Sequence, residues 1–265
     1  MTALSANRAL DILGGIAPVL QFTILDAEKI WEGGILAVDY LGEIQMVTNT
    51  QGLKVIGVSK SEIDNTDDGE VVKTVVRGIV RMNNSATYPL TRASRGQIAY
   101  VEDDNVVAGY ASAQISAGLV HDVDTNGVWV DMRPEALAMA WEMRPAIALA
   151  KTADYTVTAA IAFDGRTFIK CTKTGNLTIT VPSAVAGMRV GLKRMSATAA
   201  DDVTLQTATG DKAQGNDAIS AAAKAVENTV DAISEVVWFR TNDSTLWQLD
   251  NPIPSDVTSW VKNDA

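Results

Sequence analysis

The stretch HDVDTNGVWVDMR, residues 121–133, carries the strongest turn signal in the chain. Its Asn126-Gly127 dipeptide favours a two-residue type I′ turn, because that turn needs a positive φ at both central positions. The segments on either side, SAGLV (116–120) and VWVDM (128–132), are rich in β-branched residues and alternate in polarity, as strands do. The stretch therefore predicts a β-hairpin and a β-rich fold around it.

The same residues match the first half of an EF-hand calcium loop. Asp122, Asp124, Asn126 and Gly127 stand at loop positions 1, 3, 5 and 6. Position 12, where that loop needs a bidentate glutamate, is occupied by Arg133, and strand-like rather than helical segments flank the motif. We interpret the stretch as a hairpin tip with no metal, and a weak, non-EF calcium site at Asp122, Asp124 and Asn126 is the alternative.

Short strand candidates separated by turn signals extend outward from this hairpin. Toward the N-terminus, Gly33-Gly34, Gly42, 49–52 and 64–69 separate them, a spacing typical of sandwiches and barrels. The predicted fold is mainly β, with two β-sandwich or barrel-like domains joined by a short helical linker. The predicted ranges are an N-terminal arm (1–21), a β domain (22–133), the linker (134–150), a second β domain (151–250) and an extended C-terminal tail (251–265).

Two segments predict helix. In RPEALAMAWEMRPAIALAK (133–151), Pro134 suits the first helical position, and Pro145 ends the helix. In NDAISAAAKAVENTVDAI (216–233), apolar residues recur at helical spacing, which predicts a short amphipathic helix in the second domain. DYTVTAAIAF (154–163) alternates and predicts a strand.

Charge and hydropathy exclude several partners. The chain has 22 basic and 32 acidic residues, a net charge of −10, and no basic cluster, so it lacks the electrostatic footprint of nucleic-acid binding. Anionic membrane surfaces are excluded for the same reason. No apolar run reaches the roughly 18 residues of a membrane span.

Residues that could carry catalysis are scarce. The chain has one cysteine, Cys171, within a strand-like segment, and one histidine, His121, beside the turn. One histidine and one cysteine exclude a multi-histidine metal site. A Ser-His-Asp or Cys-His arrangement would have to use His121, and no GxSxG motif precedes a helix. No glycine-rich phosphate motif occurs either. Adjacent acid pairs such as Asp103-Asp104 lie in turn compositions, where Asp bonds its own backbone. We predict no enzyme activity, no catalytic residue and no cofactor.

From Phe22 to Met132 the sequence resembles the small β-domain decoration, or head-cement, proteins of tailed bacteriophages. The segments that carry the resemblance occur in the same order: EGGILAVDYLGEIQMV, GLKVIGVSKSEIDNTDDGEVVKTVVRGIVRM, LTRASRGQIAYVEDDNVVA and AGLVHDVDTNGVWVDM. The region after residue 151 is similar to β modules of phage tail fibres and virion appendages.

This resemblance implies a structural virion protein on the exterior of a capsid. Such a protein binds the major capsid protein, commonly as a homotrimer, and stabilises the shell, with the second domain projecting outward. The apolar residues Leu4, Leu10 and Ile12 of the arm are candidate capsid contacts, since an extended arm can add a strand to a partner. The alternative function is a virion-surface adhesin that binds a glycan or receptor through the domain after residue 151.

Overall fold

The structure, a computed structural model, describes residues 12–16, 22–65, 75–172, 175–195, 202–214, 225–228, 237–241, 245–249 and 260–263. The chain separates into two compact units, Met1–Arg144 and Pro145–Ala265. Strands dominate both units, so the prediction of a mainly β protein is confirmed.

The first unit contains eleven described strands, one 3-10 turn and one helix. They are β1 Ile12–Ile16, β2 Lys29–Ile30, β3 Ile35–Val38, β4 Ile44–Met46, β5 Lys54–Ser59, β6 Ile63–Asp64, β7 Val75–Asn84, the 3-10 turn Arg92–Ser94, β8 Ile98–Asp103, β9 Val106–Ala108, β10 Ser116–Asp124, β11 Gly127–Asp131 and α1 Pro134–Met143.

Five of these strands close into a barrel. The neighbours run β7, β9, β8, β10, β11, and β11 pairs back onto β7, while β5, β3 and β4 extend the sheet from β7. The pairings in the ring are antiparallel except β7 with β9, where Asn83 and Asn84 align with Val106 and Val107 in parallel. Burial alternates along β7, as expected of a strand with one face toward a core.

The extension of the sheet builds a second, smaller core. Along β3, Ile35 and Ala37 face the barrel core, and Leu36 between them joins a separate cluster with Ile44 and Met46. Successive side chains of a strand point to opposite faces, so one strand serves both cores.

Helix α1 belongs to the first unit. Pro134 takes the first helical position as predicted, Ala136 and Ala140 are buried, and Leu137 packs against the barrel core. The predicted linker 134–150 therefore needs correction. Its first part is this packed helix, and its last part begins a strand at Ile147, because the backbone there is held by a parallel neighbour strand.

The second unit also contains eleven described strands and one helix. They are β12 Ile147–Lys151, β13 Tyr155–Thr156, α2 Ala159–Asp164, β14 Thr167–Cys171, β15 Leu177–Thr180, β16 Arg189–Arg194, β17 Val203–Gln206, β18 Lys212–Gln214, β19 Ala225–Asn228, β20 Val237–Thr241, β21 Leu246–Leu249 and β22 Trp260–Asn263.

From β12 to β20 the described strands of the second unit alternate between two sheets, and β21 then pairs with β20 in the same sheet. One sheet has the order β12, β14, β16, β20, β21, β18, and the other has β13, β15, β17, β19, β22. The first three strands of each sheet pair in parallel. Side chains of both sheets, among them Ile169, Leu192, Ile179 and Leu205, form one core.

Two secondary-structure predictions in this unit are wrong. Residues 159–164 form α2 rather than strand, because the Thr158 hydroxyl accepts from the Ile161 N–H at the helix start and Gly165, at φ 69°, ends the helix. In the segment predicted as an amphipathic helix, 225–228 form strand β19 between β17 and β22, since ladder pairing overrides helical spacing. The rest of that segment lies outside the described residues.

The predicted terminal segments are described only in part. In the arm (1–21), β1 pairs antiparallel with β7 of its own unit. In the tail (251–265), β22 pairs with β19 and so completes a sheet. Both described pieces are therefore sheet strands rather than free extensions.

Candidate functional site

The hairpin of residues 116–131 is confirmed, but its turn differs from the predicted type. Asp124 pairs with Gly127, so Thr125 and Asn126 are the two loop residues. The φ of Asn126 is not positive, whereas a type I′ turn requires a positive φ at this residue. Gly127, which follows it, has a φ of 148°. Glycine is needed there because a Cβ would stand 2.3 Å from the Met82 carbonyl oxygen of β7.

Hydrogen bonds to the hairpin carboxylates order its tip. Asp124 accepts from the Asn126 N–H at 2.7 Å and from the Trp129 Nε1–H at 2.9 Å. Asp122 accepts from Arg95 Nε at 2.9 Å and from the Val123 N–H at 2.7 Å. The bond from Trp129 is the main reason that the pKa of Asp124 is lowered, and the bond from Arg95 has the same effect on the pKa of Asp122.

This arrangement favours the hairpin interpretation over the calcium alternative. A cation at Asp122 would have to compete with the Arg95 guanidinium, which already lies 2.5 Å from the Asp122 carboxylate. Across the described part of the chain, no group of three or more His, Cys, Asp or Glu residues is placed to hold a metal ion.

A polar depression lies beside the hairpin tip, between it and the parallel β7–β9 pair. Its volume is about 520 Å³. Its lining residues are Asn83, Asn84, Asn105, Val106, Asp124, Thr125, Asn126 and Gly127.

The asparagines in this depression are held in place. Asn83 donates from its backbone N–H to the Asn105 carbonyl at 3.0 Å and from Nδ2 to the Asn105 side-chain oxygen at 3.1 Å. Asn105 is only 6% exposed. Asn84 donates to the Leu90 carbonyl at 2.8 Å and accepts from the Leu90 N–H at 2.9 Å, which closes the loop between them.

Two exposed tyrosines lie on loops that leave this depression. Tyr88 is in the loop that Asn84 closes, and Tyr110 follows β9, whose first residue lines the depression. The two rings meet edge to face, with centroids 5.3 Å apart, and each side chain is about half exposed. The Gly109 N–H donates to the Tyr88 carbonyl at 2.8 Å, so the loops are bonded to each other.

Further apolar side chains are exposed elsewhere on the first unit. Leu41, at 66% exposure, and Tyr40 form the tip of the β3–β4 hairpin, where Asp39 accepts from the Leu41 N–H at 2.8 Å. Met139 and Met143, one helical turn apart on α1, are 56% and 52% exposed.

Of the predicted capsid contacts, Leu4 and Leu10 lie outside the described residues. Ile12 is in β1, and its backbone pairs with Val80 of β7. The described part of the arm thus adds a strand to the sheet of its own unit. The prediction was that the arm would add a strand to the capsid protein.

The single cysteine and the single histidine of the chain both lie in sheet strands. Cys171 is buried in the core of the second unit, where desolvation raises its thiol pKa to about 12. His121 is exposed, and it is the extra residue in the bulge between Val120 and Asp122. Neither arrangement supplies an activated nucleophile.

Sequence reasoning missed the depression and the tyrosine pair. The available signal was two asparagines at the end of a strand, with a tyrosine shortly beyond both this strand and β9. The sequence does not show that β7 and β9 are parallel neighbours, and without this pairing there is no reason to place these residues in one site.

No protein-family model, no curated protein and no solved structure matches this chain. Within the part of the chain that is described, no helix is both long enough and apolar enough to cross a membrane.

Proposed function

We propose that this chain is a structural virion protein that binds the outer surface of a capsid and stabilises the head. The partner is the major capsid protein, the binding form is a homotrimer, and the second unit projects outward. The ordered resemblance of residues 22–132 to head-cement proteins supports this proposal, and the closed β barrel is a suitable rigid support for a docking surface.

The observation that carries the proposal is the pair of apolar features on the first unit, the Tyr40–Leu41 tip and the Met139–Met143 helix face. Large exposed apolar side chains that are grouped on rigid elements mark interaction sites. The tip is rigid because Asp39 accepts from both the Leu41 and Glu43 N–H groups, at 2.8 and 3.1 Å. Little conformational entropy would be lost when it docks.

The energy of one such contact is modest, which is why a trimer matters. Full burial of a leucine contributes about 1.5–3 kcal/mol, so burial of the 66% of Leu41 that is exposed contributes roughly 1–2 kcal/mol. That is on the order of ten-fold in affinity for one site. A trimer that engages three copies of the capsid subunit multiplies these weak contacts.

The net charge of −10 is compatible with the outer surface of a shell. An acidic protein is repelled by packaged DNA and gains nothing from the interior, where a basic surface would be expected.

The test is a binding experiment with capsids of the phage that encodes this chain, assembled without this subunit. We expect saturable binding at fixed stoichiometry and a higher temperature of shell disruption. Leu41→Ser should weaken binding roughly ten-fold or more, whereas Val185→Ser, an exposed apolar residue of the second unit, is the matched control. Unsaturable binding, or equal affinity of both variants and the wild type, would refute this assignment.

A further inference from the structure

We propose that the polar depression between the β7–β9 pair and the β10–β11 hairpin tip binds a neutral saccharide. This function goes beyond capsid binding and belongs to the first unit, whereas the sequence placed a glycan-binding alternative in the second.

The chemistry of the lining selects the class of ligand. Three of the lining residues, Asn83, Asn105 and Asn126, have carboxamide side chains, and Thr125 has a hydroxyl. An amide or hydroxyl group can both donate and accept hydrogen bonds, as each hydroxyl of a sugar does. A surface rich in such groups therefore matches a polyhydroxylated, uncharged ligand.

Charged ligands fit this lining less well. None of the described lining residues is Lys or Arg, so a phosphate or sulfate would find no cationic hydrogen-bond donor in the lining itself. The cation that acts on the lining is Arg81, whose charge is already opposed by Asp124. The one acid among them, Asp124, already accepts from the Asn126 and Trp129 N–H groups through its two oxygens. A divalent cation would have to replace these donors.

Part of the lining is fixed before a ligand arrives. The side chain of Asn105 is buried and bonded to Asn83 at 3.1 Å, and the tip that presents Thr125 and Asn126 is tied by Asp124. A prearranged set of hydrogen-bonding groups reduces the entropy lost on binding. The volume of about 520 Å³ falls in the range of small-molecule sites.

The tyrosine pair supplies the second half of a saccharide site. A pyranose ring has an apolar face of C–H groups, which packs on an aromatic ring while the tyrosine hydroxyl stays in water. Tyr88 and Tyr110 are 49% and 48% exposed, and their loops continue directly from the strands that line the depression. The amide cluster lies on β7 and the β8–β9 turn, and the stacking rings lie on the loops that follow β7 and β9.

The experiment uses the full chain and a microarray of neutral and anionic glycans, followed by NMR titration with methyl glycosides of glucose, galactose, mannose and N-acetylglucosamine. We expect at least one neutral sugar to bind and to shift the amide resonances of 83–84, 105–106 and 124–127. Binding of none of these sugars, or a preference for anionic glycans, would overturn the proposal.

Two variants with matched controls locate the site. Asn126→Ala removes an exposed carboxamide and should weaken sugar binding roughly three- to ten-fold. Asn176→Ala, an exposed asparagine of the second unit, should leave it unchanged. Tyr110→Ala should weaken binding on the order of ten-fold, and Asn176→Ala serves as its control as well.

The same variants separate this proposal from capsid binding. We expect Asn126→Ala to bind capsids like the wild type. If sugar binding is insensitive to both Asn126→Ala and Tyr110→Ala, the site is refuted even where the capsid experiment succeeds. If capsid binding fails while Asn126→Ala abolishes sugar binding, the saccharide site stands alone.

Discussion

Replacement of Gly127 by alanine tests the closure of the barrel. Gly127 has a φ of 148°, and a Cβ at this position would lie 2.3 Å from the Met82 carbonyl oxygen of β7. The backbone conformation alone costs an alanine about 1–3 kcal/mol. The contact is with backbone, so β11 must move away from β7, and each ladder hydrogen bond weakened adds about 0.5–1.5 kcal/mol. We expect Gly127→Ala to lower the local stability by roughly 2–4 kcal/mol.

Gly42→Ala is the matched control, because it isolates the conformational term. Gly42 also has a positive φ, +85°, but among the described atoms none lies within 4 Å of the position of its Cβ. We expect this variant to lose only about 1–2 kcal/mol. The difference between the two variants therefore combines the close approach of β11 to β7 with the different conformational cost of a φ of 148° and one of 85°.

Native-state hydrogen exchange is the appropriate assay, because it gives an opening free energy for each amide and avoids a global fit to two units. The Met132 N–H, which donates to the Gly78 carbonyl at 2.8 Å across this seam, is the reporter. In Gly127→Ala its exchange should accelerate by more than in Gly42→Ala, on the order of ten-fold or greater. Equal acceleration in both variants would refute the argument that β11 closes the barrel on β7.

Three further predictions concern single side chains. Asp164→Asn should destabilise the second unit by about 3–5 kcal/mol in urea unfolding, because Arg166, 3.1 Å away and 8% exposed, would keep a buried charge without its partner; a loss below about 1 kcal/mol would contradict this. The lowered pKa of Asp124 means that the stabilisation from its carboxylate is present above its ordinary pKa of 3.8 and is lost as the pH falls through the folded value. The Trp129 indole N–H should therefore exchange more slowly in the wild type than in Asp124→Asn at neutral pH, and this difference should disappear in acid; a difference that persists in acid would contradict this. Cys171, whose pKa is raised by burial to about 12, should resist a thiol reagent at pH 8 until the protein is unfolded, and rapid labelling of the native chain would show that the thiol is accessible.

Local sequence signals predicted those elements that are determined locally. Pro134 at the first position of α1 and the hairpin around residues 124–127 were read correctly, because both depend on backbone preferences of a few neighbouring residues. The turn type was wrong at Asn126-Gly127, since the glycine serves the contact with Met82 on another strand rather than the turn. A residue distant in the sequence, Met82, therefore explains why position 127 is glycine, and the local dipeptide pattern does not.

The sequence by itself determined that the protein is mainly β and how its turns punctuate the strands. Only the tertiary structure decided that 225–228 are a strand and that β7 and β9 lie side by side. This pairing brings Asn83 and Asn105 into one depression and bonds the loops of Tyr88 and Tyr110 to each other. The physical reason is that alternation specifies which face of a strand is buried, but not which strand is its neighbour. Partner choice comes from packing and hydrogen bonding between segments distant in the chain, and the candidate site depends on that choice.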